Sequence, residues 1–303
     1  MIKSLTCPSL NCLKYIIIFE NGRLGNQFFQ YLAARSAAPR AQIICIGLQS
    51  LLVSLQPSAH HLAASKMGSL LEKLFSRLGR SRALKLANGR KLLSVISEMR
   101  DGDNLSISFS QGLCNKIALL DGFFQDEVIL EKVSCEQCPL RIELLVNARE
   151  WIEANVISRG FNPYFLHLRR GDYLRWPSSD HPAVLPFKWY EQQMNEIARA
   201  DKRAHFIVCT DDRPFAEDRL GSHPMVSIFR GSEIDDFFLM TQCSGGGILS
   251  ASTFSWWAAW YGRQFYPNVR YLAPRYWAGW RQGEWFPSTI KTSWLEYSDV
   301  FLI

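Results

Sequence analysis

The sequence predicts a two-domain α/β protein, and three observations support this. Apolar runs of strand length alternate with amphipathic helical runs in both halves of the chain. With 303 residues and 48% hydrophobic content, the chain can bury a large core and is longer than most single domains. A glycine- and proline-containing stretch at 159–163 lacks periodicity, so we place the boundary there, between domains at 14–158 and 163–290.

The first half opens with a predicted strand, a glycine-containing turn and a helix. Lys14–Glu20 places three isoleucines between aromatic residues, which suits the centre of a sheet. Asn21–Gln27, NGRLGNQ, follows as the turn, and Phe28–Ala38 has apolar residues at helical spacing. Glycines let the backbone approach a ligand, and a helix N-terminus presents N–H groups to an anion. Because the spacing matches neither GxGxxG nor a Walker loop, a purely structural turn is the alternative.

A basic helical segment follows the second predicted strand, Ala41–Gly47. Between Lys66 and Arg100, nine Lys/Arg and two Glu residues give a local charge of +7. Apolar residues at helical spacing predict an amphipathic helix, or two helices separated near Asn88–Gly89. Such a helix suits peripheral attachment to an anionic membrane or contact with a lipid-phosphate acceptor. The alternative is a helix that packs on the core and has a solvated outer face.

The first half then closes with a strand end and loop at Ala118–Gln125 and a helix at Val146–Arg159. Next comes the strongest candidate for a functional site, HLRRGDY at His167–Tyr173. The apolar run from Pro163 predicts a buried strand that ends where Gly171 breaks it. Ligands of open α/β sheets bind at the carboxyl ends of strands, and a guanidinium matches a diphosphate with two parallel hydrogen bonds. A solvated arginine pair or an adhesion-type Arg-Gly-Asp tripeptide is the alternative.

The rest of the second half repeats the strand–helix rhythm. A helix of sequence KWYEQQMNEIARA precedes a strand at His205–Thr210, which ends on Asp211 and Asp212. A carboxylate there can accept hydrogen bonds from a ribose or purine N–H, although capping a turn or helix is its commoner role. After a helix at Ile234–Gln242 and a strand at Gly247–Ala251, Ser252–Gly262 predicts a helix whose first turn faces the strand ends. Together, the two helix starts and the arginine pair predict a nucleotide-diphosphate site.

Charge, cysteine content and apolar runs bear on the location of the protein in the cell, but they do not identify its ligand. A net charge of +6 suits nucleic acid, anionic membrane or phosphorylated substrates and does not choose among them. The eight cysteines are scattered, and Cys135 and Cys138 form one CxxC without a second pair at zinc spacing, so we expect a reducing cytosol. No apolar run has the length of a signal core or a spanning helix. We therefore expect a cytoplasmic protein that is free or peripheral on the inner face of a membrane, with contact through residues 66–100.

Four motifs, taken together and in order, resemble glycosyltransferase family 11, the α-1,2-fucosyltransferases. They are GRLGNQ at Gly22–Gln27, HLRRGDY at His167–Tyr173, STFSWWAAW at Ser252–Trp260 and APRYW, which ends at Trp277. FFQ at 123–125 and the Asp pair at 211–212 support the resemblance, whereas residues 50–110 add nothing to it. The resemblance implies a GT-B-like fold, in which two Rossmann-type domains face each other across a cleft, with the donor held mainly by the second domain and the acceptor entering from the first.

The implied reaction is an inverting, metal-independent transfer of L-fucose from GDP-β-L-fucose to the 2-hydroxyl of a terminal galactoside, in surface polysaccharide or glycan synthesis. The acceptor would be a galactose-terminated glycan, free or lipid-linked, with no nucleic-acid partner and no cofactor. No DxD motif placed beyond a strand suggests a metal. By motif, Arg169 would grip the β-phosphate, and Asp172 would be the second catalytic residue. The resemblance does not fix the base that deprotonates the acceptor hydroxyl, for which Asp172 and His181 are the two candidates. The implied donor-binding residues are Arg23, Gly25, Asn26, His167, Arg169, Arg170, Asp211, Asp212, Ser252, Thr253, Phe254 and Ser255.

Other functions stay open at this point. The arginine motif recurs in α-1,6 and protein O-fucosyl enzymes, although GDY followed by STFSWW favours the α-1,2 linkage. A binding module for nucleic acid or an anionic surface would lose affinity with salt and would tolerate Arg169→Ala. A non-catalytic nucleotide-sugar binder is the third alternative. One departure from the family is Gly245–Gly247, which stands where polar residues are common and predicts a looser loop.

Overall fold

A computed structural model describes residues 10–56, 66–101, 104–128 and 135–301. The chain forms two compact units, Met1–Leu140 and Arg141–Ile303. Each unit has its own sheet of mainly parallel strands connected by helices, which confirms the predicted α/β class. None of the helices in the described part of the chain combines the length and apolarity that crossing a bilayer requires.

The first unit contains a five-stranded sheet in the order β2-β1-β5-β3-β4. All neighbouring strands are parallel except the β3–β4 hairpin, which the sequence patterns did not predict. Strand β1 lies inside the sheet between β2 and β5, and its three isoleucines are buried. The elements are β1 Tyr15–Phe19, α1 Leu24–Ala37, β2 Gln42–Ile46, α2 Gln49–Ser54, α3 Lys66–Leu78, α4 Arg80–Arg90, β3 Leu93–Asp101, β4 Asn104–Ser110 and β5 Cys114–Asp121.

The basic segment at 66–100 is only partly helical. Its two helices, α3 and α4, are separated at Gly79, which has a φ of 75°, and not at Asn88–Gly89 as predicted. The left-handed backbone at Gly79 ends one helix and starts the next at low steric cost. The last part of the segment is strand β3, because Val95 and Ile96 are buried in the sheet. The basic residues therefore continue to Arg100, whereas the helices end at Arg90.

The second unit contains a six-stranded, fully parallel sheet in the order β11-β10-β9-β6-β7-β8. Its core includes the buried tryptophans Trp189, Trp256 and Trp257. The elements are α5 Ile142–Asn155, β6 Asn162–Leu168, α6 Phe187–Ala200, β7 Ala204–Thr210, α7 Arg213–Leu220, β8 Val226–Ile228, α8 Glu233–Thr241, β9 Gly246–Ile248, α9 Thr253–Phe265, β10 Arg270–Pro274 and β11 Glu296–Ser298.

The boundary between the two units lies in the chain at Leu140–Arg141, upstream of the boundary expected at 159–163. Helix α5 belongs to the second unit because it packs on it: the Trp151 and Phe229 ring centres are 4.9 Å apart, and Arg149 Nε donates to Gln242 Oε1 at 2.6 Å. The stretch at 159–163 covers the end of the connection from α5 and the first two residues of β6. A local break in the sequence marks a turn, but it does not reveal the sheet on which the preceding helix packs.

Candidate active site

The segments that follow β6, β7 and β9 meet at one edge of the second sheet. Strand β6 lies between β7 and β9, and all three strands are parallel, so their carboxyl ends are adjacent. The chain runs from β6 to β7 and β8 on one side and then crosses to β9 on the other. This reversal is the switch point at which open α/β sheets bind ligands.

Ser250 ties the ends of β6 and β9 together. Its hydroxyl accepts a hydrogen bond from the Arg169 backbone N–H at 2.9 Å and donates to the His167 carbonyl at 2.6 Å. The buried Tyr190 hydroxyl lies 2.8 Å from the same Ser250 oxygen. These bonds fix the backbone from which the Arg169 side chain projects.

Arg169 is held between two carboxylates. Its Nη2 donates to Asp172 Oδ1 at 2.5 Å, and its Nη1 lies 3.0 Å from Asp211 Oδ2. The guanidinium lies 5.4 Å from the Tyr173 ring centre, and only 11% of the arginine side chain is exposed. Its Nε is buried and has no hydrogen-bond partner among the described residues. The structure therefore orients this guanidinium rigidly and leaves its Nε–H donor unused.

Asp211 and Asp212 hold the arginine pair in place. Asp211 Oδ1 accepts from the Arg170 backbone N–H at 2.8 Å, while Asp212 Oδ2 accepts from Arg170 Nε at 3.0 Å. Asp212 also caps α7, where its Oδ1 accepts from the Phe215 N–H at 3.2 Å. A Cβ at Gly171 would lie 2.5 Å from Asp211 Oδ2, which explains the glycine in the motif. The capping alternative thus describes Asp212, and both carboxylates bind arginines of their own unit.

The start of α9 supplies the third part of the site. Ser252 is its N-cap, and its hydroxyl accepts from the Phe254 N–H at 3.3 Å. Thr253 and Phe254 remain partly exposed, but Ser255 is fully buried and donates to the Ser252 carbonyl at 3.1 Å. His167 is buried too, and its ring centre lies 5.4 Å from that of Phe254. Among these residues, Thr253, Phe254 and the first-turn N–H groups are the parts available to a ligand.

The two residues nominated as the base differ in their setting. Asp172 contacts Arg169, and 57% of its side chain is exposed. His181 is exposed in the loop before α6, where its backbone N–H donates to Ser178 Oγ at 3.1 Å. The structure thus places Asp172 directly beside the predicted phosphate-binding arginine.

In the first unit, GRLGNQ forms the start of α1. The helix begins at Leu24 with Arg23 as its N-cap, so Gly25 and Asn26 lie in its first turn and not in a glycine turn. Only Gly22 of this motif needs a left-handed backbone, with a φ of 87°. Arg23 is exposed, whereas Gly25 is buried.

This helix start is bonded to the segment after β5, the neighbour of β1. Gln125 Nε2 donates to Asn26 Oδ1 at 2.7 Å, and Gln30 Nε2 donates to the Asn21 and Gly122 carbonyls at 3.2 and 3.1 Å. Two separate motifs of the sequence, GRLGNQ and FFQ, are therefore in contact. The Asn26 amide is oriented by a buried glutamine, as expected of a residue that binds a ligand from a fixed position.

Asp236 is a candidate that the sequence patterns did not predict. It lies in the first turns of α8, is 9% exposed, and its Oδ1 has no hydrogen-bond partner in the described part of the chain. Burial raises the pKa of Asp236 to about 8; nearby Arg213 opposes this shift, and Asp235, Glu233 and Asp211 add to it. The next residue, Phe237, packs on Phe254 at 5.6 Å. The only signal in the sequence was an aspartate on the apolar face of IDDFF.

We expect Asp236 to make the protein less stable as the pH rises from about 4 to about 8. The folded chain keeps this carboxyl protonated up to its pKa of about 8, whereas the unfolded chain releases the proton near pH 4. The favourable contribution of the protonated carboxyl is thus full below about pH 4 and is lost as the pH rises through about 8. Asp236→Asn does not titrate and removes this dependence.

Thermal midpoints measured between about pH 5 and about pH 8 should fall more steeply for the wild type than for Asp236→Asn. Asp218→Asn, which changes a carboxylate that is 73% exposed, is the control and should follow the wild type. Parallel curves for the wild type and Asp236→Asn would contradict the raised pKa.

Together, the parallel sheets, the switch point and the arginine pair beside a helix N-terminus define an α/β protein suited to binding a nucleotide diphosphate. A family model for Glycosyl transferase family 11 matches residues 114–265, half of the chain. The chain belongs to glycosyltransferase family 11, as the motifs predicted.

The relatives extend over parts of the chain. The O-antigen biosynthesis glycosyltransferase WbnK of Escherichia coli is 30% identical over 184 residues, 58% of this chain and 58% of WbnK. Galactoside 2-alpha-L-fucosyltransferase SEC1 of Bos taurus is 32% identical over 100 residues, 31% of this chain and 27% of SEC1. This chain thus spans less than two thirds of either curated relative. Among solved structures, fucosyltransferase NodZ from Bradyrhizobium has a TM-score of 0.48 at 12% identity, over 81% of this chain and 92% of NodZ.

Proposed function

We propose that this protein transfers L-fucose from GDP-β-L-fucose to the 2-hydroxyl of a terminal galactoside, with inversion and without a metal. The observation that carries the proposal is the pair Arg169–Arg170 at the end of β6, where it is fixed by Ser250, Asp211 and Asp212 beside the start of α9. This arrangement suits a diphosphate, and membership of family 11 supports a sugar nucleotide as the ligand.

In the proposed reaction, the acceptor hydroxyl attacks the anomeric carbon of fucose while the bond from that carbon to the β-phosphate oxygen breaks. The electron pair of the broken bond stays on GDP, which gains one negative charge. Arg169 stabilises this charge because its guanidinium is already oriented before the reaction. Its unused Nε and its Nη2 offer two parallel donors to the β-phosphate.

The two carboxylates on Arg169 have different roles in this proposal. Asp211 binds both Arg169 and the Arg170 backbone, and its side chain is 21% exposed, so it remains as a clamp. Asp172 is mostly exposed and bonds through one oxygen, so the incoming β-phosphate displaces it from Nη2. The released Asp172 then accepts the proton of the acceptor hydroxyl. Donor binding thereby frees the base.

The remaining donor contacts follow from burial. Thr253, Phe254 and the first-turn N–H groups of α9 bind phosphate, whereas His167 and Ser255 position that turn from the interior. Because Asp211 and Asp212 are bonded to arginines, Asp236, whose Oδ1 has no hydrogen-bond partner among the described residues, is the better acceptor for an N–H of the guanine base. Arg23, Gly25 and Asn26 stay predicted donor-binding residues on the strength of the family motif alone. The carboxylates at the site bind guanidinium groups, which supports charge stabilisation by arginine without a metal.

The test is GDP release from GDP-fucose in the presence of EDTA, with lactose, N-acetyllactosamine or a Galβ1,3-linked disaccharide as acceptor, and NMR of the product. We expect an α-1,2-linked fucoside. A product of another linkage would support fucosyl transfer but contradict transfer to the 2-hydroxyl. Loss of activity in EDTA would contradict a metal-independent reaction. If calorimetry detects no GDP binding, the proposal that GDP-fucose is the donor is wrong.

A further inference from the structure

Helix α3 in the first unit has an exposed apolar stripe that its own fold does not use. The stripe consists of Met67, Leu70 and Leu74, whose exposed fractions are 50%, 59% and 55%. Their spacing of three and four residues places them along one side of the helix. Large apolar side chains exposed in a row, and not scattered, mark an interaction surface.

The helix is fixed to its unit by a different side. Leu71 and Phe75 are buried, and the Phe75 and Phe19 ring centres are 6.3 Å apart. Gly68 is buried as well, and a Cβ there would lie 2.7 Å from the Gln42 side chain, so the helix approaches β2 closely. The side of α3 that carries Gly68, Leu71 and Phe75 makes the contacts with the unit, so the stripe stays exposed at the surface.

A row of cations borders the exposed stripe. Lys66, Lys73 and Arg77 are exposed, and their spacing of seven and four residues puts them beside Leu70 and Leu74. None of the three forms an ion pair with a carboxylate in the described part of the chain. Glu72, the single acidic residue of the helix, is two residues from both Leu70 and Leu74, which places it on the side of the helix opposite the stripe.

We propose that α3 binds the surface of an anionic lipid bilayer. In this arrangement Met67, Leu70 and Leu74 enter the boundary between head groups and acyl chains, and the cation row contacts lipid phosphates. The apolar stripe favours a bilayer over a nucleic acid as the partner. Binding to a phosphate backbone would use the cations but would leave Leu70 and Leu74 in water. This inference does not depend on the proposed transfer reaction.

The experiment is flotation of the full chain with vesicles of phosphatidylcholine, with or without phosphatidylglycerol. Leu70→Gln with Leu74→Gln removes the stripe without changing charge, and Lys73→Gln with Arg77→Gln removes two cations. We expect the first double variant to weaken binding to anionic vesicles at least about tenfold, because two apolar side chains no longer enter the bilayer. The second should weaken it about 30-fold and lose most of the salt dependence.

Matched controls lie on other surfaces. Met99→Gln changes a residue on β3 that is 59% exposed, like Leu70, and Lys188→Gln with Lys202→Gln removes two exposed cations of the second unit. Both controls should bind within about twofold of the wild type, and circular dichroism checks that all variants are folded. The proposal is overturned if the wild type does not float with anionic vesicles, if the α3 variants match the controls, or if an RNA oligonucleotide binds while vesicles do not.

Discussion

Arg169→Ala should lower the turnover of GDP-fucose by about 10- to 150-fold while GDP affinity changes much less. A charge-assisted hydrogen bond is worth about 1.5 to 3 kcal/mol, and this one strengthens as charge develops on the departing diphosphate. Ground-state binding retains the first turn of α9 and Arg170, so the loss falls mainly on kcat. Arg169→Lys should restore little, because an ammonium cannot offer two parallel donors.

The measurement is steady-state kinetics for kcat and KM, with GDP binding by calorimetry on the same samples. Arg230→Ala is the control, since Arg230 also pairs with a carboxylate, Glu217, but its side chain is 73% exposed. It should leave kcat within about twofold. An unchanged kcat in Arg169→Ala would remove Arg169 from the mechanism, and an equal loss of GDP affinity and turnover would assign it to binding alone.

The sequence predicted the parts of the site that depend on local pattern. A buried strand that ends at a glycine is a local feature, so β6 and the position of Arg169 at its end were predictable. The bond between Asn26 and Gln125 joins residues far apart in sequence, and only the pairing of β1 with β5 brings them together. The motifs thus located the residues, but not their partners.

Asp211 shows why such partners escape a single sequence. An aspartate after a parallel strand suits a ribose, a base, a cap or an arginine equally well. The choice is made by Gly171, whose missing side chain lets Asp211 approach both Arg169 and the Arg170 backbone. Asp236 could not be recognised from the sequence for a different reason. One polar residue on an apolar helix face does not indicate a functional residue until the structure shows that this face of α8 is buried.

Gly246→Ala should destabilise the second unit by about 3 kcal/mol or more. Gly246 begins β9, a strand between β6 and β10, and has a φ of 102°. A Cβ there would lie 2.0 Å from the Arg270 backbone carbonyl oxygen, a neighbour that cannot rotate away. Backbone strain and overpacking each contribute about 1 to 3 kcal/mol. Gly247 is equally enclosed, under the Phe165 ring, so two of the three glycines belong to a packed strand and not to the looser loop expected from the resemblance. Gly245 lies in the turn before that strand, where a Cβ would be 2.6 Å from the Tyr164 ring.

Gly160→Ala separates these two contributions. Gly160 has a similar left-handed φ of 83°, but a Cβ there would meet nothing within 4 Å. Its substitution should therefore destabilise the protein by about 1 kcal/mol, the strain term alone. Denaturant unfolding followed by tryptophan fluorescence reports on the second unit, whose α9 holds buried Trp256 and Trp257. Equal losses in the two variants would show that β9 and β10 can separate to admit a side chain, and that strand contact at Gly246 adds nothing beyond its backbone angle.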